Sequence, residues 1–223
     1  MNHLLGRTDA PATSSGHSTT ARQIANVKPP MSDLSLTLRV MAQPFRTYGA
    51  IARGDEPMPD WRVGALKLLF VLASFVALTA TGRLAPIEIV VAMVSFTYVP
   101  VVHAASTALA VRAVAKGKAS TKDAIALAYA GYGPWLLFFV IVSGLALFVP
   151  SPAQTLLRVV PPLVLVTFVW GIVVTYGSFR RGLELAGARA GAATFIHYLI
   201  MIAFVVGYYV IAGALLPQVL PQP

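Results

Sequence analysis

Long apolar stretches alternate with short charged loops along most of the chain. A helix rises about 1.5 Å per residue, so about 20 apolar residues cross the hydrocarbon core of a bilayer. Five runs are near that length: Val63–Thr81, Ile87–Val111, Ile125–Val149, Leu156–Gly177 and Thr194–Leu216. Turn residues separate them, with Gly82–Pro86 after the first run and Pro150-Ser-Pro152 after the third. The pattern predicts an all-α membrane protein with five transmembrane helices and no sizeable soluble domain.

Ahead of the first run the pattern changes. Within Asp33–Asp60, Leu34, Leu38, Met41, Phe45 and Tyr48 recur at helical spacing, while Arg39, Arg46 and Arg53 fall seven apart. This predicts one or two amphipathic helices on the cytoplasmic leaflet, with the three arginines meeting lipid heads or an acidic partner. Asp33 suits the cap of a first helix, and Pro44 the first turn of a second. Residues 1–32 are rich in Ser, Thr, Ala and Pro and lack the apolar content of a core, which predicts a flexible cytoplasmic tail. They also lack the apolar centre of a secretory leader. The expected organisation is a tail (1–32), an amphipathic interfacial segment (33–62), a five-span membrane domain (63–216) and a short periplasmic C-terminus (217–223).

Charge sets the orientation. With the N-terminus inside, fifteen of the 17 Lys and Arg residues fall in inner segments, leaving Arg83 and Arg158 outside. Basic residues are retained on the cytoplasmic side, so the chain is expected in a bacterial inner membrane, N-terminus cytoplasmic and C-terminus periplasmic. The composition agrees with a membrane solvent: 57% hydrophobic, 11% charged, mean hydropathy +0.74. The net charge of +9 then belongs to loops facing anionic lipid heads. No basic stripe with interleaved aromatics appears, so no nucleic-acid partner is expected. The absence of cysteine excludes disulfides, thiolate metal sites and a cysteine nucleophile.

Few residues remain that carry chemistry. The eight acids are Asp9, Asp33, Asp55, Glu56, Asp60, Glu88, Asp123 and Glu184, all in tails, loops or interfaces. Glu88, at the outer start of the second span, is expected to cap that helix rather than relay protons. "GKASTKD" fails as a phosphate loop, because position 112 is Arg where the first glycine belongs and Ala119 follows Lys118. Two histidines stand inside the spans. His103 lies nine residues before Arg112 and His197 eight after Arg189, each about 12–13 Å from the inner end. At one depth, two imidazoles are candidates for a haem or metal. They are equally candidates for interhelical hydrogen bonds to a hydroxyl such as Ser106 or Tyr198. The second reading is favoured, with no cofactor expected beyond structural lipids. Pro100 and Pro134 are expected to bend spans two and three, and Pro161-Pro162 span four, the freed carbonyls finding partners nearby. Small residues four apart, such as Ala203 and Gly207, favour close helix packing.

Three segments carry a resemblance. "VAKGKASTKDAIALAYAGYGPWLL", "WGIVVTYGSFRRGLELAGARAGAATFIHYLI" and "QPFRTYGAIARGDE" resemble the bacterial form of the Yip (Ypt-interacting protein) family of integral membrane proteins, over roughly Gln43–Leu216. The resemblance implies five spans and a cytoplasmic N-terminus. Eukaryotic members partner Rab GTPases, whereas bacterial members offer no agreed catalytic set to carry over. The expected function is therefore non-catalytic: an integral membrane scaffold or accessory subunit that packs against a larger membrane complex and its lipids. The alternative is a small-molecule or lipid transporter that uses the three proline-bent spans.

Overall fold

The computed structural model describes residues 33–80, 85–117, 119–149 and 152–219. The expected tail, residues 1–32, and most of the expected C-terminal end lie outside them. Among the described residues every regular element is helical, and five helices are long and apolar enough to cross a membrane. The protein is an all-α, multi-pass membrane protein.

Two short helices come first, α1 (Asp33–Ala42) and α2 (Pro44–Ala52). Pro44 stands at the start of α2, as its missing N–H permits. Span one is α3 (Trp61–Ala80), whose N-terminus is capped by Asp60: its carboxylate accepts from the Arg62 N–H at 2.9 Å. Span two is built of α4 (Pro86–Ser95) and α5 (Tyr98–Ala115). Glu88 caps α4 by accepting from the Ala85 N–H at 2.8 Å, the role expected of it. Span three is α6 (Thr121–Ala130) and α7 (Gly133–Phe148). Span four is α8 (Pro152–Gly177), which ends in a π-helical turn over Ser178–Gly182. Span five is α9 (Gly187–Val219), which begins seven residues earlier than the apolar run.

Helix α6 occupies the centre, with Ala124 and every residue from Ala126 to Ala130 buried. Around it α5 packs along α9, α3 against α6 and α7, and α7 along α8. One close approach depends on a missing side chain: a Cβ on Gly64 of α3 would stand 2.6 Å from Tyr129 Cβ on α6. The pair Ala203 and Gly207 does not play that part. Ala203 is exposed, and a Cβ on Gly207 would meet nothing within 4 Å.

The prolines behave unequally. At Pro100 the helix is interrupted between Ser95 and Tyr98. Short-range bonds close the gap: the Thr97 N–H donates to the Val94 carbonyl at 3.0 Å and Val99 to Phe96 at 3.1 Å. The Ser95 and Thr97 hydroxyls bond Val91 and Val94. At Pro134 a turn at Gly131–Tyr132 divides span three. Pro161 and Pro162, by contrast, lie within a continuous α8, so span four is not divided there as spans two and three are. Both are exposed, and opening the helix there would leave further backbone groups unpaired against lipid.

The interfacial segment also differs from expectation. Its buried face is Leu36, Thr37, Val40, Thr47, Tyr48 and Ile51, whereas Leu34, Leu38 and Phe45 point outward. Only Tyr48 of the expected apolar stripe is fully buried. The inner face is fastened to the bundle: Tyr48 Oη donates to the Leu127 carbonyl at 3.1 Å, Trp170 Nε1 to the Met41 carbonyl at 2.9 Å, and Lys67 Nζ to Thr37 Oγ1 at 2.7 Å. Burial pushes the Tyr48 phenol far above its ordinary range, so it remains a proton donor.

Candidate functional site

The site grows from the two histidines. Because α5 and α9 pack side by side, His103 and His197 meet edge to face with ring centroids 5.1 Å apart. The common depth read from the sequence therefore corresponds to direct contact. His197 Nδ1 lies 2.9 Å from Ser106 Oγ and 3.4 Å from Thr107 Oγ1. Both hydroxyls also donate to the His103 carbonyl, at 3.0 and 2.8 Å. The Ser106 hydroxyl thus lies within bonding distance of both the His103 carbonyl and His197 Nδ1, and the His197 tautomer sets the direction of the second bond.

His103 is held differently. Tyr129 and Tyr132 flank it with ring centroids at 5.6 and 5.0 Å, and the Tyr129 hydroxyl is turned away, donating to the Pro100 carbonyl at 2.8 Å. Both ring nitrogens of His103 are buried and neither has a hydrogen-bond partner. Buried polar atoms are nearly always paired, so an unpaired imidazole inside a membrane bundle is a costly feature.

Beside this cluster lies a cavity of about 360 Å³. Tyr98, His103, Tyr132, Trp135, Thr175, His197 and Tyr198 supply its polar groups. The rest of the lining is apolar, and it holds no acid, lysine or arginine. Gly171 makes room at one wall, where a Cβ would stand 2.9 Å from Tyr198 Oη and 3.3 Å from Trp135 Nε1. Tyr198 is steadied by Thr175 at 3.3 Å. The exposed members of the lining are Ile202, Val205 and Val206, all on α9.

The other residues singled out in the sequence fall elsewhere. Pro100 is buried near the cluster through its bond to Tyr129, and Pro134 is the buried second residue of α7. Arg39 and Arg53 are paired within their own segment, Arg39 with Glu56 at 2.8 Å and Arg53 with Asp55 at 2.9 Å, instead of standing free. Arg46 is exposed. Sequence reasoning did not assign Tyr129, Tyr132, Trp135 or Gly171 to a site, although "YAGYGPW" concentrates three of them in seven residues. No third His, Asp or Glu joins the two histidines as a metal-ligand group among the described residues. No protein-family model, no curated protein and no solved structure matches the chain.

Proposed function

We propose that this protein is a non-catalytic membrane protein that takes a small apolar or amphiphilic molecule from the bilayer into its helix bundle and carries or transports it. One observation carries the reading: a cavity of about 360 Å³ inside the bundle, walled mostly by apolar side chains, with uncharged polar groups and with Ile202, Val205 and Val206 of its lining exposed on α9. Ligand pockets are mostly apolar, of about 300–1,000 Å³, with a few polar groups that orient the guest. The breaks at Phe96–Thr97 and Gly131–Tyr132 lie beside the lining and supply places where helices can shift. The direct test is reconstitution in liposomes with a fluorescent single-chain amphiphile. Wild type should speed its passage between leaflets. Val206→Trp, which adds bulk at the exposed edge of the lining, should return the rate to that of protein-free vesicles, and an equal rate in both preparations would refute the reading.

A scaffold or accessory-subunit role is the second reading, favoured by the outward apolar residues Leu34, Leu38 and Phe45 beside exposed Arg46 on a segment fastened to the bundle. Co-purification of a stoichiometric membrane complex, lost on Leu34→Ser/Leu38→Ser, would favour it. The likeness of the loops to the bacterial Yip form accommodates both readings. The basic residues of the inner segments support an inner-membrane location with the N-terminus cytoplasmic.

A further inference from the structure

We infer that the cavity takes a neutral molecule with a hydroxyl head group on an apolar body, and that His103 is the residue that recognises the hydroxyl. This rests on the ligand-binding reading above and narrows its substrate class.

Three features of the lining select that chemistry. First, no acid, lysine or arginine borders the cavity, so neither an ammonium nor a carboxylate head would find a counter-charge there. A charged head would also forfeit its hydration on leaving the aqueous interface for the cavity. Second, several of the hydroxyls around His103 are already engaged, and that of Tyr132 stands beside it at the cavity as a further group for the same head. Tyr129 donates to Pro100, Thr175 pairs with Tyr198, and Ser106 and Thr107 serve the His103 carbonyl and His197. Third, His103 is 6% exposed, lines the cavity, and has two ring nitrogens without partners. A neutral imidazole offers one N–H donor and one lone-pair acceptor. A hydroxyl both donates and accepts, so it suits either nitrogen. Both nitrogens are covered as placed, so a guest reaches one only when the side chain turns, and a half-turn of the ring, which exchanges each nitrogen with a carbon, needs no movement of α5. The aromatic walls, including Phe96, Trp135 and Phe168, then hold the apolar body.

The test uses Trp135 in the cavity wall as reporter. Full-length protein in phospholipid nanodiscs is titrated with bromoundecanol, bromoundecanoate and bromoundecane, whose bromine quenches nearby indoles. Quenching that saturates, and that Trp135→Phe removes, reports occupancy of the cavity; non-saturating quenching reports Trp61 and Trp170, which lie outside its lining. The alcohol should half-saturate at least about fivefold below both other probes, the scale of one neutral hydrogen bond. His103→Phe should erase that preference while bromoundecane still saturates, and His103→Gln, which keeps a donor and an acceptor, should retain it. Equal saturation by all three probes in wild type would overturn the hydroxyl inference and leave the ligand-binding reading standing, and so would preference for the carboxylate. Absence of any saturating quenching would overturn both.

Discussion

Ser106 Oγ on α5 lies 2.9 Å from His197 Nδ1 on α9, a side-chain bond joining two spans ninety-one residues apart in the chain. It engages one histidine of the contacting pair, while the other keeps both ring nitrogens unpaired beside the cavity. Ser106→Ala leaves His197 with Thr107 alone at 3.4 Å. Interhelical bonds in membranes are worth about 0.6–2 kcal/mol, so the variant should lose about 1 kcal/mol in reversible unfolding from mixed micelles. Thr107→Val should lose less, and the reverse order would refute the assignment.

Packing of α3 on α6 gives a second prediction. Gly64→Ala places a methyl 2.6 Å from Tyr129 Cβ and should cost about 1–3 kcal/mol through overpacking. Gly207→Ala, with open space around its Cβ, should be neutral in the same unfolding measurement.

The arginines of the interfacial segment should separate by partner. Arg39 pairs with buried Glu56, so Arg39→Gln removes a charged partner from a buried carboxylate and should raise amide exchange over residues 53–60. Arg53→Gln removes a pair exposed on both sides and should change little. Arg46→Gln should leave exchange unchanged and lower only salt-sensitive attachment to anionic surfaces, by about 1 kcal/mol. Uniform effects of all three would contradict this division.

Orientation is tested by reporters. A fusion in the loop 116–122 should read cytoplasmic, and one after Pro223 periplasmic. Opposite labelling of either would overturn the five-span topology expected from the basic residues.

Much of this architecture was legible because the physics behind it is local. Run length gave the spans, Pro44 the start of α2, Glu88 a cap, and charge spacing the depth of both histidines. Ser106 was named as a partner because a hydroxyl at the right depth is a short list in an apolar helix. The buried face of α1 was misread because the segment has two apolar faces: Leu34, Leu38 and Phe45 form one, Leu36, Val40 and Ile51 the other. Periodicity cannot rank two stripes when lipid or a partner can cover the outer one. The cavity was illegible for a different reason. Its walls come from all five spans, and the space exists because Gly171 carries no side chain between Tyr198 and Trp135, a relation that no short window of sequence contains.

The central claim is that the bundle holds a molecule drawn from the bilayer, and the most direct measurement is the mass of what it carries. Protein extracted with its surrounding lipid in native nanodiscs should release, on denaturation, one apolar species enriched over the bulk membrane at about one per chain. The same preparation of Val206→Trp should contain that species only at its bulk proportion. Identical lipid profiles from the two proteins, with no species above bulk, would contradict the account.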